Sequence, residues 1–421
     1  MKTIYRIILT LSLTGLGIFQ LFSQSSWVSQ TSGVNADLYD IQFLNANTGF
    51  ASGENGTLLR TTNSGLFWNQ LQTNISERIA RIAFIDVNTG WILTQGNPGA
   101  IIKTTNGGMN FSTQNNINSS PNDLIDINVI DFNNVYVSTF SIIRKTTDGG
   151  STWTNTNPVS GYSRISFLNS LTGYALTTDG FVCRTSNGGV NWSVNFIQNL
   201  TNQAVLMTFY NNSTGYITDK SQRLYKTNNG GNNWQSFTIV NNTSYDILRG
   251  FFYDLNTGWI TSYAPDSNRG LVYKTFNGGV NWGQQYVGTD QQIRAINFID
   301  ANTGWIAGYN GIIYKTTNGG GDPIGIQQIS NEVPKNYNLS QNFPNPFNPQ
   351  TSISFELSHK SFVKLIVYDL TGKEIIDLTN QSLNPGKYLV SWDAGNFPSG
   401  TYFYKLETTD FIQTKKMVLI K

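Results

Sequence analysis

The sequence predicts an all-β chain: a seven-bladed β-propeller closed by an N-terminal strand, followed by a small C-terminal β-sandwich of the Ig-like kind. This prediction rests on a turn motif that recurs seven times, on short alternations of apolar and polar residues between its copies, and on a change of composition near residue 337. The chain has 421 residues, which is enough for two or three domains. Its 40 glycines and 13% aromatic residues are typical of a folded chain with many turns.

The recurring motif has the form of Lys103–Gly108, KTTNGG. Its second glycine returns every 39 to 48 residues, at Gly65, Gly108, Gly150, Gly189, Gly231, Gly279 and Gly320. An Asn-Thr-Gly-aromatic signature such as Asn302–Trp305 lies about sixteen residues upstream of each copy, in eroded form in three of them. The second unit illustrates the four short strands that each unit predicts, at Ile79–Asp86, Trp91–Thr94, Ala100–Lys103 and Phe111–Thr113. Four strands per repeat of this length is the period of a propeller blade.

The two ends of the array complement each other. An aromatic residue opens the fourth strand of six units, at Trp68, Phe111, Trp153, Trp192, Trp234 and Trp282. The seventh unit runs instead into Gly321–Pro323, which has no strand pattern, whereas Ser26–Gln30 carries the missing pattern around Trp27. We therefore predict that the N-terminal segment supplies the outer strand of the last blade and closes a ring over residues 25–321.

The N-terminus and the composition limit the possible functions. Lys2 and Arg6 precede the apolar run Ile7–Phe22, so residues 1–24 are predicted to be a signal peptide, with a membrane anchor as the alternative. The net charge of +2 gives no electrostatic footprint for nucleic acid. His359 is the only histidine and Cys183 the only cysteine of the sequence. The chain therefore lacks the residues needed for histidine-ligated zinc, for disulfides and for Ser-His-Asp or Cys-His catalysis. We predict an exported protein without cofactor, metal or integral membrane span.

The turn motif carries a recognisable box. Thr146–Trp153 has the sequence TTDGGSTW, and the other six copies place Asn at the position of Asp148. This tract resembles the Asp-box of bacterial neuraminidase (BNR) repeats. Together with the upstream pattern Phe84–Trp91, the array resembles the photosystem II stability/assembly factor-like family of seven-bladed propellers. The resemblance implies the propeller fold, with the Asx side chain holding the turn and the box aromatic packing between blades.

The composition changes at Tyr337. A proline-rich segment that includes Asn345–Pro349 precedes predicted strands at Ser352–Leu357, Phe362–Asp369, Lys387–Trp392, Gly400–Leu406 and Lys415–Ile420. This region resembles the type A C-terminal sorting domain of the type IX secretion system, through Asn345–Pro349, Val367–Glu374, Ser399–Tyr404 and Lys415–Lys421. The resemblance implies that residues 337–421 are an export address read by the outer-membrane secretion machinery, with delivery to the cell surface or the medium. Residues 322–336 are the predicted linker.

A charged column appears when the repeats are aligned on the phenylalanine of the first strand. Three residues before it stand Asp40, Arg81, Asp126, Arg164, Leu206, Arg249 and Ala295, with Arg294 beside the last. Because the first strand of a blade begins at the mouth of the ring, Arg81, Arg164, Arg249, Arg294, Asp40 and Asp126 are predicted to form a rim that binds an anionic glycan or peptide. The alternative is that these residues form ion pairs between blades.

The function predicted from the sequence is that of an exported, non-enzymatic binding module, because the near-regular repeats leave no long insertion for a catalytic cleft. The alternative is a carbohydrate-active hydrolase, sialidase-like or another glycosidase, for which Asp37, Asp40, Asp123 and Asp126 supply candidate carboxylates. Asp-x-Asn-x-Gly tracts such as Asp86–Gly90 have part of the pattern of a calcium loop, but they lack the remaining ligands and are predicted to be turns.

Overall fold

A computed structural model describes residues 26–96, 99–114, 124–156, 161–198, 200, 204–240, 245–265, 269–285, 287–321, 325–330, 332–394 and 397–421. The predicted signal peptide and Asp123 lie outside these ranges. The described residues form strands and a 3-10 turn at Tyr309–Gly311, with no α-helix among them. Within these ranges, no helix has both the length and the apolar character needed to cross a membrane.

The repeats form seven four-stranded antiparallel sheets within the described part of the chain. The innermost strands are Leu38–Phe43, Arg78–Phe84, Leu124–Val129, Tyr162–Phe167, Ala204–Phe209, Asp246–Phe252 and Ile293–Phe298. The second strands are Gly49–Gly53, Gly90–Gln95, Val135–Thr139, Gly173–Thr177, Gly215–Asp219, Gly258–Ala264 and Gly304–Gly308. The third strands are Leu58–Thr61, Ile101–Thr104, Ile143–Thr146, Phe181–Thr185, Arg223–Thr227, Arg269–Thr275 and Ile313–Thr316. The outer strands are Asn69–Gln70, Ser112–Thr113, Thr154–Thr156, Ser193–Phe196, Gln235–Thr238, Gly283–Gln285 and, for the seventh sheet, Val28–Gln30.

The sheets are arranged around a central channel. Each innermost strand packs against the innermost strand of the next sheet, and that of the seventh sheet packs against that of the first. The N-terminal strand pairs with the third strand of the seventh sheet, so that Val28 lies opposite Lys315 and Gln30 opposite Ile313. The all-β prediction with repeated four-stranded sheets is confirmed, and the seventh sheet joins the two ends of the repeat array.

Aromatic rings connect neighbouring sheets. Trp234, the box aromatic of the fifth sheet, meets Phe209 of its own innermost strand edge to face at 5.9 Å. The residue that reaches across to Phe209 is Tyr174, from the Asn-Thr-Gly-aromatic signature of the fourth sheet, which stacks on it at 3.4 Å. The expectation that the box aromatic packs between blades is also confirmed, because Trp234 packs against a cluster that contains residues of the fourth and fifth sheets, and the equivalent Trp192 donates from Nε1 to Oγ1 of Thr156 in the preceding sheet at 3.0 Å.

The signature glycine makes room for this phenylalanine. A Cβ atom added to Gly304 would lie 2.3 Å from Cδ1 of Phe298, which is its partner across the two strands. The third sheet has neither residue of this pair, and Val129 lies opposite Val135 there. The two changes compensate in volume, since a smaller inner side chain leaves space for a larger one opposite.

Short polar side chains hold both turns of the repeat. Asp86 Oδ1 accepts hydrogen bonds from the backbone N–H groups of Asn88 and Thr89, at 2.7 and 2.6 Å. In the box, Asp148 Oδ1 accepts from Thr152 N–H at 2.9 Å, and the hydroxyl of Thr146 accepts from Gly150 N–H at 2.8 Å. The Asp and Asn side chains at these positions thus cap turns, as predicted for the Asp-x-Asn-x-Gly tracts.

The C-terminal region is a sandwich of two four-stranded sheets. In spatial order, one sheet contains Gly325–Ser330, Gly386–Asp393, Gln350–Leu357 and Asn338–Leu339. The other contains Glu374–Leu383, Ser361–Tyr368, Gly400–Glu407 and Ile412–Leu419. Trp392, Tyr404 and Met417 are buried between the sheets. The predicted linker is corrected here, because residues 325–330 pair with Gly386–Asp393 and form an edge of the sandwich.

The proline-rich segment and the C-terminal strand bind each other. Phe347 is buried, its N–H donates to Val418 O at 2.9 Å, and its carbonyl accepts from Ile420 N–H at 2.9 Å. Asn345 Oδ1 accepts from Val418 N–H at 2.9 Å. The two most distinctive tracts of this region in the sequence thus form a single structural unit at one edge of the sandwich.

Candidate ligand-binding site

A β-bulge interrupts the innermost strand of each of the seven sheets at the same place. In the second sheet, for example, the pairing register shifts between Ile79 and Arg81, so that Ala80 is the extra residue. The extra residues of the seven sheets are Tyr39, Ala80, Ile125, Ser163, Val205, Leu248 and Arg294. All of them line one cavity of about 450 Å³ at the mouth of the channel. Since a bulge bends its strand and redirects the side chain, the ring of bulges shapes this mouth.

The residue after each bulge belongs to the column that the sequence singled out, which we call the channel ring: Asp40, Arg81, Asp126, Arg164, Leu206, Arg249 and Ala295. Its charged members come together, but inside the channel and not on an exposed rim. The side chains of Asp40 and Arg249 are only 13% and 19% exposed. Arg294 is the bulge residue of the seventh sheet and lies at the mouth instead.

The channel ring contains ion pairs between sheets, which were the alternative weighed from the sequence. Arg249 Nη2 lies 3.3 Å from Asp40 Oδ1, and Arg81 Nε lies 3.9 Å from Asp126 Oδ1. Each carboxylate also accepts a backbone N–H of the next sheet: Ile82 N–H donates to Asp40 Oδ2 at 3.1 Å, and Ile165 N–H donates to Asp126 Oδ2 at 3.2 Å. The two aspartates therefore join neighbouring sheets. Within the channel ring, the three arginines Arg81, Arg164 and Arg249 outnumber these two carboxylates.

Arg164 is the member without a carboxylate partner. Its Nε donates to the carbonyl oxygen of Val205 at 3.2 Å, and among the described residues no carboxylate forms an ion pair with it. Burial lowers the pKa of Arg164 to about 10, against the opposing attraction of Asp126. Burial, with repulsion from Arg249 and Arg164, lowers the pKa of Arg81 to about 9. These shifts show that positive charge is held here at a free-energy cost, which an anion would relieve.

The mouth cavity is strongly basic. Its lining includes six basic side chains and, among the described residues, no acidic one: Arg78, Arg81, Arg164, Lys220, Arg249 and Arg294. The channel continues beyond the ring as a second cavity of about 570 Å³, which Arg81, Arg164 and Arg249 also line, together with Asp40 and Asp126. A ligand that enters from the mouth therefore meets guanidinium groups before it meets either aspartate.

Three further side chains, Tyr39, Glu54 and Arg78, lie together on one side of the mouth. Tyr39 donates its hydroxyl to Glu54 Oε1 at 2.8 Å, and Arg78 Nε pairs with the same oxygen at 2.9 Å. The Arg78 guanidinium lies over the Tyr39 ring at 4.3 Å. Of these residues, the alignment of the repeats singled out none. For Tyr39, the signal in the sequence was the break in regularity at the bulge, where five other sheets have small or aliphatic residues.

Two family models match the chain. Residues 20–160 match the model described as photosynthesis system II assembly factor YCF48, and residues 341–421 match the model described as secretion system C-terminal sorting domain. A curated relative, the photosystem II assembly lipoprotein Ycf48 of Synechococcus sp. (strain CC9902), is 27% identical over 135 residues. That alignment spans 31% of this chain and 40% of the relative.

Solved structures share the fold. A structure of YCF48 bound to a D1 peptide has a TM-score of 0.59 and 19% identity, over 70% of this chain and 96% of that one. PorZ, a surface component of the type IX secretion system of Porphyromonas gingivalis, has a TM-score of 0.53 and 14% identity, over 93% of this chain and 60% of that one. The GH74 enzyme of Niastella koreensis has a TM-score of 0.54 and 13% identity, over 94% and 68% of the two chains.

The C-terminal match indicates export to the cell surface or the extracellular space and involvement of the secretion machinery. It coincides with the sandwich in which the proline-rich segment and the C-terminal strand bind each other. The protein thus joins a β-propeller of the BNR type, which matches the YCF48 model over residues 20–160, to a type IX secretion C-terminal sorting domain at residues 341–421.

Proposed function

We propose that this protein is an exported, non-enzymatic binding protein, and that the mouth of its propeller channel binds an acidic peptide segment. The observation that carries this proposal is the cavity of about 450 Å³ with six basic side chains and no acidic side chain among its described lining residues. Concave sites lined by one sign of charge concentrate ligands of the opposite sign. The sorting domain places such a site outside the cell.

The charge balance of the channel ring supports an anionic ligand. Arg81 and Arg249 are each paired with an aspartate, whereas Arg164 is not. A carboxylate that entered the cavity would meet the Arg164 guanidinium, which already lost part of its hydration when the protein folded. Charge-assisted hydrogen bonds between guanidinium and carboxylate are strong and can be bidentate, which adds geometric specificity.

A peptide is favoured over a glycan as the source of the charge. The structural neighbour YCF48 has been solved with a D1 peptide bound, so this kind of propeller accommodates a peptide. The mouth lining also contributes aliphatic side chains, among them Ile125, Val205 and Leu248, which suit the apolar parts of a peptide. An anionic glycan is the other ligand that the same guanidinium groups would accept.

A glycoside hydrolase is the second candidate, and one contact favours it. Tyr39 lines the mouth cavity and donates its hydroxyl to Glu54, and a tyrosine with an acidic partner is the nucleophile that sialidases use. Two observations oppose it. Burial and the hydrogen bond to Glu54 raise the pKa of Tyr39, which weakens it as a nucleophile. Asp40 and Asp126 already accept backbone N–H groups and pair with arginines, so neither is suited to act as a general acid.

The proposal is tested with peptide and glycan arrays probed with the chain from residue 25 onward, and again with Arg81, Arg164, Arg249 and Arg294 all changed to alanine. We expect acidic peptides among the ligands of the parent and their loss in the quadruple variant, with circular dichroism confirming that the variant is folded. Binding that persists in the folded variant contradicts the assignment of the site. Turnover of any glycan by the parent contradicts the non-enzymatic role.

A further inference from the structure

The seven bulge residues at the mouth of the channel depart from their repeat at one place. Five of them are Ala80, Ile125, Ser163, Val205 and Leu248, which are small or aliphatic. The other two, Tyr39 and Arg294, come from the first and seventh sheets, which are neighbours in the ring. The two large polar bulge residues therefore lie together on one side of the mouth, which we call the polar side, where the two ends of the repeat array meet.

On the polar side, four side chains contact one another in series. Arg294 donates from Nη2 to the hydroxyl of Tyr309 at 2.6 Å, and its guanidinium lies 4.8 Å from the centre of that ring. Tyr309 in turn meets Tyr39 edge to face at 6.2 Å, and the Arg78 guanidinium lies over the Tyr39 ring. These contacts hold two guanidinium groups in place at the mouth before any ligand arrives, which lowers the entropy lost on binding.

The two mouth arginines differ in how their charge is balanced. Arg78 is paired with Glu54 at 2.9 Å. Arg294 forms no ion pair with any described carboxylate, and its Nε atom is buried without a hydrogen-bond partner among the described residues. In the channel, Arg164 likewise forms no ion pair with a described carboxylate. The cavity thus presents two uncompensated guanidinium groups, one in the channel ring and one at the mouth.

We propose that the cavity selects an acidic peptide segment that carries two carboxylates, one for Arg164 inside the channel and one for Arg294 at the mouth, with Tyr309 as the residue that positions Arg294. This inference rests on the proposed function and specifies its ligand. A ligand with one carboxylate pairs with one guanidinium and leaves the other half-buried without a carboxylate. The second carboxylate therefore adds a charge-assisted interaction with a group that is already oriented.

The test uses capped glycine peptides, acetylated and amidated so that only side-chain carboxylates count. One series carries two glutamates separated by none to three glycines, and the other carries one glutamate and one glutamine at the same positions. Isothermal titration calorimetry on the chain from residue 25 onward measures both. We expect the best diacidic peptide to bind the parent at least about tenfold more tightly than its monoacidic partner.

Substitutions of mouth residues test whether these residues cause the preference for the diacidic peptide. Arg294→Gln should bring the ratio of the two affinities close to one, and Tyr309→Phe, which keeps the ring but removes the hydrogen bond, should reduce the ratio part of the way. Arg223→Gln, an exposed arginine outside the cavity lining, should keep the ratio of the parent. Equal binding of both peptides to the parent overturns this inference alone. If no acidic peptide binds the parent, the proposed function and this inference are both wrong.

Discussion

At the scale of single residues, the spacing between neighbouring sheets depends on a glycine. Gly304 faces the ring of Phe298, and an added Cβ would lie 2.3 Å from it. We expect Gly304→Ala to lower the free energy of unfolding by about 1–3 kcal/mol, because the ring stacked on Trp259 has no room to move. Urea denaturation measures the change. Gly400→Ala is the control, since nothing lies within 4 Å of its added Cβ, and equal effects of the two substitutions would contradict the packing argument.

The box of the third sheet differs from the other six by a charge, which gives it a pH dependence. The hydroxyl and N–H of Thr152 donate to Asp148 and lower its pKa from 3.8 to about 2. A folded-state pKa below the unfolded value stabilises the protein above about pH 4, and this stabilisation is lost as the pH falls towards 2. We therefore expect the parent to lose stability relative to Asp148→Asn between pH 4 and pH 2, as measured by urea denaturation. A difference that stays constant over this range would exclude the assigned pKa.

The residues of the site were partly accessible from the sequence. Alignment on the phenylalanine found the channel ring, because repeats place equivalent residues at equivalent positions. It did not find Tyr39 or Arg78, since a β-bulge adds one residue to the strand and no periodicity shows where the extra residue falls. The sequence placed the channel ring on an exposed rim and not inside the channel. The depth of a residue in the channel depends on how the bulges bend all seven strands, which the sequence does not show.

At the scale of elements, the N-terminal strand holds the seventh sheet closed. Trp27 is buried and contacts Phe298 edge to face at 5.8 Å, and Val28–Gln30 covers the edge of Ile313–Thr316. We expect deletion of residues 25–30 to lower the melting temperature and to produce oligomers, because it exposes a strand edge and an aromatic core. Differential scanning calorimetry and size-exclusion chromatography measure the two effects. A monomeric deletion variant as stable as the parent would show that the ring does not need this strand.

The elements of the repeats were easier to predict than those of the sandwich. In the second unit the four predicted strands match the observed ones to within a few residues, because each is bounded by Gly and Asn turns. In the sandwich, Glu374–Leu383 was missed, since its sequence EIIDLTNQSL lacks strict alternation. Gly325–Ser330 was assigned to the linker because a short edge strand is stabilised by its pairing partner more than by its own residues.

At the scale of the whole molecule, the C-terminal region should direct export by itself. We expect a reporter preceded by a signal peptide and fused to residues 337–421 to reach the medium or the cell surface in a host with the type IX machinery. A fusion that starts at residue 325 should accumulate to a higher level, because it keeps the strand paired with Gly386–Asp393. Immunoblots of cell and medium fractions measure this, with a host that lacks the machinery as control. A reporter retained in the periplasm of the competent host would refute the export assignment.

The central claim is that the uncompensated charge of the channel binds an acidic ligand, and Arg164→Ala tests it most directly. This substitution removes the guanidinium that pairs with no described carboxylate, so it leaves neither Asp40 nor Asp126 without its arginine. The measurement is the dissociation constant of the tightest acidic peptide from the array, by titration calorimetry on parent and variant. The account predicts at least about a tenfold weaker affinity with an unchanged melting temperature. An unchanged affinity in the folded variant would contradict it.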